Sequence, residues 1–169
     1  PFAIVSPGGL SSERWPAERF ARLAAVLAAG DGPAILVEGS ADETPILREI
    51  EADITAATAA AGGVGRSPIL ICQDPLDVFA ALLARARLLV TNDSAPLHFA
   101  AALGVPVLYL AQREKLAHSH PRSPGCWALY DDLENDLGRI SVEQVLGAVR
   151  DMVRRGVVPN DGSPIGLAD

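Results

Sequence analysis

The chain alternates short, continuously apolar runs with longer segments of helical periodicity. A strand that is apolar at every position must be covered on both faces, as it is in a parallel sheet. Between two of these runs, Phe20, Leu23, Ala24 and Leu27 repeat at the spacing of one helix face. The pattern predicts an α/β fold, a doubly wound Rossmann-like parallel sheet of about six strands with helices on both faces. The runs that predict the strands are "FAIVSP", "AILVEG", "ILIC", "LLVT", "PVLYL" and "WALYDD".

The length of the chain fits a single domain. Its 169 residues can bury one core and are too few for two ordinary domains. We expect the domain to span residues 1–155 and the turn-rich residues 156–169 to form a surface tail. Because the chain starts at Pro1 and enters an apolar run at once, we interpret it as a piece of a longer protein.

Charge and cysteine content exclude several classes of function. A net charge of −7 disfavours a nucleic-acid partner, since phosphate backbones need a basic face. No apolar run approaches the ~20 residues of a membrane span.

Cys72 and Cys126 lack the spacing of a zinc site, so we expect free thiols and no bound metal. His118 and His120 lie in the polar, proline-containing stretch 111–126, which we predict to be a long loop with exposed histidines.

Polar residues gather where two of the predicted strands end. In a doubly wound sheet the ligand binds beyond the carboxyl ends of the strands, where the strand order reverses, and this rule brings the loops at 8–15 and 92–97 together. The second loop begins a helix whose unpaired N–H groups at 94–97 favour an anion. Ser94 adds a hydroxyl, and His98 lies one turn further on. The two loops supply, as candidate ligand-binding residues, Gly8, Gly9, Ser11, Ser12, Arg14, Asn92, Asp93, Ser94, Ala95 and His98.

Two of these residues also have ordinary structural interpretations. Asp93 could cap the helix that follows it, and His98 could be a hydrogen-bonded core histidine. The sequence has no GxGxxG of dinucleotide sites, no phosphate loop GxxxxGK[ST] and no GxSxG turn of hydrolases. Position, polarity and helix start together therefore predict a diphosphate site that is independent of these motifs.

Several stretches resemble one enzyme family. They are "SPGG", "SSERWPAERFARLAAVL", "ILVEGSADE" and "LLVTNDSAPLHFAAALGVPVLYL", which lie in register over residues 4–112. They are similar to the carboxy-terminal domain of the lipopolysaccharide heptosyltransferases, glycosyltransferase family 9, which is one half of a GT-B fold. The resemblance implies a donor-binding half for a nucleotide-diphosphate sugar, with ADP-heptose as the candidate. It also implies an inverting reaction without a metal ion or other cofactor.

The resemblance assigns roles by position. It implies that Asp93, Ser94 and His98 contact the donor, and from their chemistry we expect Ser94 and His98 to stabilise the leaving group. The phosphate-facing turn would include Ser6, Ser11 and Ser12, and a family acid that reaches the ribose would be Glu38, Asp42 or Glu43. The acceptor site and the carboxylate base would belong to a missing amino-terminal domain, so no catalytic base is expected in this chain and the isolated domain is expected to be inactive. The implied location is cytoplasmic, at the inner face of the bacterial inner membrane, with peripheral contact through the full-length enzyme.

The chain departs from the family pattern at three places. Glu13 stands where the family favours Lys, Ala95 and Pro96 replace a Gly and its neighbour, and Ala111-Gln112-Arg113 replaces "GPT". Arg14 or Arg113 could supply the missing positive charge. Two alternatives stay open at this point. One is a degenerate, non-catalytic nucleotide-binding or assembly domain, and the other is half of a sugar-nucleotide 2-epimerase.

Overall fold

The computed structural model describes residues 2–9, 14–60 and 67–159, without the side chains of 58–60. It contains the predicted doubly wound parallel sheet. The strands are β1 (Phe2–Ser6), β2 (Ala34–Glu38), β3 (Ile69–Cys72), β4 (Leu89–Asn92), β5 (Val107–Leu110) and β6 (Cys126–Leu129). The helices are α1 (Ala17–Leu27), α2 (Thr44–Ala60), α3 (Leu76–Leu83), α4 (Ala95–Leu103), α5 (Leu116–Ser119) and α6 (Val142–Arg154).

The strand order reverses next to β1. The sheet has six strands in the order β3-β2-β1-β4-β5-β6, and every neighbouring pair is parallel. The chain moves outward from β1 to β3 and then returns to pair β4 with the other side of β1, with Val5 opposite Val90. The loops that follow β1 and β4 therefore leave the same edge of the sheet side by side, as the sequence predicts.

Two apolar layers cover the two faces of the sheet. Alternate residues of β1 belong to different layers, with Val5 in one and Ile4 in the other. The first layer joins the sheet to α1, α2 and α6, and the second joins it to α3 and α4. The stripe predicted on α1 is fully buried in the first layer: Phe20, Leu23, Ala24 and Leu27. Helices on both faces are thus confirmed.

The stretch 111–126 contains helical turns, so the prediction of one long loop is wrong there. A 3₁₀ turn (Arg113–Lys115) leads directly into α5. The hydroxyl of buried Tyr109 lies 2.6 Å from Nδ1 of His120 and ties the end of α5 to β5. His118 is exposed as predicted, and His120 is exposed but bonded. The segment lacks apolar periodicity, and single contacts hold it in place: His120 with Tyr109, and Leu116 with the second apolar layer.

One described residue of the predicted surface tail, Val158, lies in the core. Val158 is fully buried in the layer that includes α1 and α6, and the Arg87 guanidinium donates a hydrogen bond to the carbonyl of Pro159. A surface position is therefore wrong for Val158, because its side chain closes the layer next to Met152. Residues 160–169 lie outside the described part of the chain. Among the helices that the structure describes, none is both long enough and apolar enough to cross a membrane.

Candidate functional site

A cavity of about 700 Å³ opens at the carboxyl edge of the sheet, beside the crossover of the strand order. This volume is typical of small-molecule sites. The turns after β1, β2, β3 and β4 all contribute to its wall. The predicted site residues that line it are Ser6, Gly8, Gly9, Arg14, Glu38, Asp42, Glu43, Asp93, Ser94 and Ala95.

The two glycines after β1 allow the turn to approach its neighbours. Gly9 has a φ of +118°, which L side chains rarely adopt, and a Cβ there would lie 3.7 Å from that of Ser94. A Cβ on Gly8 would lie only 2.7 Å from Oε1 of Glu43. Gly8 thus lets the turn after β1 pack closely against Glu43, and Gly9 provides the positive φ that this turn requires.

Asn92 shapes the site from behind and does not line the cavity. Its side chain is buried at the end of β4, and Nδ2 donates to the carbonyls of Pro7 at 3.2 Å and Gly8 at 2.9 Å. Its Oδ1 accepts a hydrogen bond from the Trp15 backbone N–H at 3.1 Å. All the hydrogen-bonding groups of this amide that the structure describes serve the turn after β1. Asn92 is therefore a clamp that holds the turn after β1 in place. Its geometry does not support direct contact with a ligand.

Glu38 ends β2 and places a buried carboxylate at one end of the cavity. It is 5% exposed. Oε1 accepts a hydrogen bond from the Asp74 N–H at 3.0 Å, whereas Oε2 is buried and has no partner among the described residues. Burial raises the pKa of this carboxyl, and the negative charges of Asp74 and Glu43 raise it further, against the lowering effect of the Asp74 N–H. A buried acceptor without a described partner, on a residue that lines the cavity, is suited to a hydroxyl donor of a ligand.

Because the pKa of Glu38 is raised, we expect its ionised carboxylate to lower the free energy of unfolding at neutral pH. The carboxyl titrates above its ordinary value of 4.5 in the folded chain, so the ionised form penalises folding as the pH rises through that folded pKa. We expect Glu38→Gln to increase the free energy of unfolding near about pH 7 and the increase to disappear below about pH 4.5. Urea unfolding across this range measures it. The same change at exposed Glu49 is the control, and a Glu38→Gln variant that is destabilised at neutral pH would contradict the expectation.

Glu38 belongs to a group of three side chains that has the residue types of a metal site. Ligand atoms of Glu38, Cys72 and Asp74 lie within 4.8 Å of one another, the one such group among the residues that the structure describes. Burial is the main cause of a raised pKa for the Cys72 thiol, and the Glu38 and Asp74 charges add to it. Both cysteines are free, and the absence of a bound metal stays a prediction.

Asp93 and Ser94 occupy the other end of the cavity, where β4 leads into α4. Oδ2 of Asp93 accepts a hydrogen bond from the Ser119 hydroxyl at 2.6 Å, and the residue at the N-cap position of α4 is Ser94. The interpretation of Asp93 as the helix cap is therefore wrong. The Ser94 hydroxyl lies 3.2 Å from that of Thr91 and also reaches the Asn92 carbonyl. Ser94 is only partly buried, so its hydroxyl can turn toward a ligand.

Three predicted groups are placed elsewhere or not described. His98 is exposed on α4 and does not line the cavity, so it is not a core histidine and it stands outside the site formed by this chain. Arg113 is exposed and pairs with Asp132 at 3.1 Å, away from the cavity lining. Ser11, Ser12 and Glu13 lie outside the described residues.

The cavity also has lining residues that the sequence analysis missed. They are Gly39, Ser40, Ala41, Asp74, Leu76, Phe79, Pro96 and Phe99. Leu76 is 60% exposed and Phe99 is 36% exposed, so the wall between α3 and α4 is apolar and open. The strand-end rule that selected Asp93 also applies to Asp74, which follows β3. The apolar wall had no such signal, because the sequence alone does not show whether an apolar residue of a helix faces the core or a cavity.

A sequence model of glycosyltransferase family 9 (heptosyltransferase) matches residues 2–121, which include β1 to α5 and the whole cavity lining. The chain belongs to glycosyltransferase family 9. The membership that the resemblance implied is thus confirmed. A comparison with the sequences of characterised proteins finds no significant match.

Solved structures agree with this family 9 fold. The chain is similar to E. coli ADP-heptose lps heptosyltransferase II, with 24% identity and a TM-score of 0.77, over 92% of this chain and 47% of that one. It is similar to the family 9 glycosyltransferase from Veillonella parvula DSM 2008, with 22% identity and a TM-score of 0.73, over 91% and 46% of the chains. E. coli heptosyltransferase WaaC with ADP gives 17% identity and a TM-score of 0.73, over 89% and 43%. The chain thus spans less than half the length of these structures.

Proposed function

We propose that this chain is the donor-binding half of an inverting, metal-independent glycosyltransferase that takes a nucleotide-diphosphate sugar. The observation that carries the proposal is the cavity itself, which has a different chemistry at each end. Glu38 offers a buried acceptor without a partner at one end, and the turn at Gly8 and Gly9 meets the start of α4 at the other. This arrangement fits a ligand with a hydroxyl-bearing nucleoside at one end and a diphosphate at the other.

The nucleoside end would combine one acid with an apolar wall. A ribose hydroxyl can donate to Oε2 of Glu38, which would satisfy the buried oxygen. The exposed side chains of Leu76 and Phe99 flank the same cavity and offer apolar surface to a flat base. Among the three acids that the resemblance offered for the ribose, Glu38 is the one supported by a buried acceptor without a described partner.

The diphosphate end would stabilise the leaving group. When the bond between sugar and diphosphate breaks, negative charge grows on the phosphate oxygens, and donors fixed beforehand at that position stabilise the transition state more than the ground state. The Ser94 hydroxyl and the first N–H groups of α4 are the donors that this chain supplies. His98 stands on the outer side of α4, where it would act only if the ligand or the other half of the enzyme reaches it.

The remaining parts of the reaction would come from the amino-terminal half. That half would hold the acceptor and the carboxylate base, and the isolated domain would be inactive. Two of the similar structures are described with ADP or ADP-heptose in their names, which makes ADP-heptose the first donor to test. The corresponding role is the synthesis of lipopolysaccharide or another cell-surface glycan on the cytoplasmic side of the membrane, with no nucleic acid and no cofactor.

A second candidate function follows from the charge of the cavity. The described lining residues include the acids Glu38, Asp42, Glu43, Asp74 and Asp93 and one cation, Arg14. An excess of carboxylates repels a diphosphate at short range. A domain that binds nucleotides weakly, or only assembles with its other half, would tolerate this excess, and a catalytic domain would need the other half to offset it.

Nucleotide binding tests the proposal directly. Thermal unfolding is measured with ADP, UDP, GDP and CDP, and a ligand at about 100 times its dissociation constant adds ~2.7 kcal/mol to the free energy of unfolding. We expect one nucleoside diphosphate to stabilise the chain. Failure of all four to do so would contradict the proposed site, and binding without sugar transfer by the full-length enzyme would favour the second candidate.

A pair of histidine variants tests the diphosphate end. In the full-length enzyme, where the ligand or the amino-terminal half can reach the exposed face of α4, we expect His98→Ala to lower the affinity for the stabilising nucleotide by about tenfold, the effect of losing one hydrogen bond to a charged group. His118→Ala removes another exposed imidazole that lies on α5 and does not line the cavity, and we expect no change in affinity. Calorimetric titration measures both variants, and equal affinities for them would remove His98 from the site.

A further inference from the structure

Strand pairing brings an acid and a thiol together at one end of the cavity. Glu38 and Cys72 are the last residues of β2 and β3, and they are paired across these parallel strands. Residues paired in this way point to the same face of the sheet. Asp74 follows two positions later, and its backbone N–H donates to Oε1 of Glu38 at 3.0 Å. The expectation of no bound metal came from cysteine spacing along the chain, which does not take this strand pairing into account.

The three side chains repel one another when they are charged. Burial is the main cause of the raised pKa of Glu38 and of Cys72, and the charge of Asp74 adds to it in both. A divalent cation bound to all three would remove this repulsion, since such an ion is often the largest local charge in a site. Acids also outnumber cations among the described residues that line the cavity, so the surroundings attract a cation.

Oε2 of Glu38 gives independent support for a ligand at this place. Glu38 is 5% exposed, and Oε2 is buried with no hydrogen-bond partner among the described residues. Oε1 already accepts from the Asp74 N–H, so Oε2 is the oxygen left for a cation. Ligand atoms of Glu38, Cys72 and Asp74 lie within 4.8 Å of one another. Two ligands of one tetrahedral zinc ion lie about 3.5 Å apart, so small side-chain rotations bring the three onto one ion.

We infer that Glu38, Cys72 and Asp74 form a binding site for a thiophilic divalent cation, Zn²⁺ or Cd²⁺, at the end of the cavity next to β2 and β3. The sulfur ligand selects against Mg²⁺ and Ca²⁺, which prefer oxygen ligands alone. When the cation binds, the Cys72 thiol loses its proton to the solvent and Sγ bonds the ion as a thiolate. Three protein ligands leave the fourth position of a tetrahedral ion open to water.

The cation at this site would inhibit donor binding and would not be a cofactor. The reaction proposed above is metal-independent, and its nucleoside end uses the same Oε2 of Glu38. A cation on Oε2 removes the acceptor for the ribose hydroxyl, so the cation and the nucleoside exclude each other. This consequence rests on the proposed function, whereas the binding of the cation does not.

Cadmium titration tests the site, because a cadmium–thiolate bond has an ultraviolet absorbance that cadmium carboxylates lack. We expect one Cd²⁺ to bind per chain with this absorbance, Zn²⁺ to displace it and an excess of Mg²⁺ to leave it unchanged. Displacement by Mg²⁺ would overturn the inference, because general attraction to acids would then explain the binding. A titration that gives no thiolate absorbance would overturn it too.

Paired variants identify the ligands. We expect Cys72→Ser to abolish the thiolate absorbance and Cys126→Ser to keep it, because Cys126 is a buried thiol on β6, at the other edge of the sheet. Asp74→Asn should lower the cadmium affinity at least about tenfold, since even the loss of an outer-shell partner costs about 10–100-fold. Asp77→Asn removes an equal charge from an exposed side chain in the first turn of α3, and the change should be less than about twofold. Equal affinities in these two variants, or thiolate absorbance that survives in Cys72→Ser, would contradict the site.

Glu38→Gln separates the loss of the site from the loss of the fold. This variant is expected to be more stable than the original chain at neutral pH, so weaker cadmium binding in it cannot result from unfolding. We expect its cadmium affinity to fall at least about tenfold, and thermal unfolding checks that every variant is folded. An unchanged cadmium affinity in Glu38→Gln would remove Glu38 from the site and overturn the inference.

A competition experiment separates this inference from the proposed function. It uses the nucleoside of the stabilising nucleotide, because a diphosphate would itself bind Cd²⁺. Weaker cadmium binding in the presence of the nucleoside supports the shared use of Glu38, and unchanged binding at a saturating concentration would overturn it. If Cd²⁺ binds as expected and no nucleoside diphosphate stabilises the chain, the proposed function fails alone. If a nucleoside diphosphate stabilises the chain and Cd²⁺ gives no thiolate absorbance, the metal site fails alone.

Discussion

Asn92→Ala is expected to lower the free energy of unfolding by about 4 kcal/mol, from the cost of leaving several buried polar groups without partners. The substitution removes the side chain that bonds the carbonyls of Pro7 and Gly8 and the N–H of Trp15. The residue is 1% exposed, so water does not readily replace these bonds. The turn after β1 would then lose its attachment to β4.

Urea unfolding monitored by tryptophan fluorescence measures this loss. Ser94→Ala is the control, because its hydroxyl is partly exposed and its change should cost less than about 1 kcal/mol. Asn92→Ala should also weaken ligand binding, since the turn that carries Gly8 and Gly9 forms part of the cavity. A loss of stability no greater than that of Ser94→Ala would show that Asn92 is not the clamp described above.

Trp15→Ala is expected to cost about 3–5 kcal/mol, as is usual when a large buried aromatic side chain is removed. Trp15 is fully buried in the layer formed with α1 and α6, and its ring meets that of Phe20 edge to face at 5.0 Å. The indole N–H donates to the carbonyl of Ile140 at 2.7 Å, immediately before α6. One side chain thus connects the cavity turn to the last helix of the domain.

Trp15→Phe separates the two contributions of this side chain. It keeps most of the aromatic packing and loses the indole N–H, but the Ile140 carbonyl still accepts a hydrogen bond from Arg19. We expect a smaller cost of about 1–2 kcal/mol. Because Asn92 holds the backbone of Trp15 and so helps to position its ring, the double variant of Trp15→Phe with Asn92→Ala should lose less than the sum of the two single losses. Strictly additive losses would contradict the coupling of these residues.

The sheet was predictable because strands that are apolar at every position must be buried on both faces. "ILIC" is apolar throughout, and β3 spans Ile69–Cys72, as the run indicates. The strand predicted from "LLVT" extends to Asn92, because the backbone of Asn92 still pairs with Leu110 of β5. Its side chain bonds to the turn after β1, behind the cavity wall. The side-by-side loops followed from the general rule for doubly wound sheets, which needs only the sequence of elements.

The site was only partly predictable, for a physical reason. Position along the chain shows that Asn92 and Asp93 follow β4, but it does not show which side chain faces the cavity and which faces the backbone of another loop. Asn92 is a clamp because the carbonyls of Pro7 and Gly8 happen to lie opposite it. The contacts of Glu43 with Gly9 and Arg14 likewise join residues far apart in sequence. Short-range sequence patterns do not show which distant residues will be in contact.

The contact between Ser119 and Asp93 has a consequence for how this domain can change over generations. Ser119 does not line the cavity, yet its hydroxyl holds one oxygen of an acid that does. A single substitution on α5 can therefore reorient the Asp93 carboxylate while every residue of the cavity lining stays the same. Under the function proposed above, a substitution on α5 would thus change the preference of the site without changing any residue of the cavity lining.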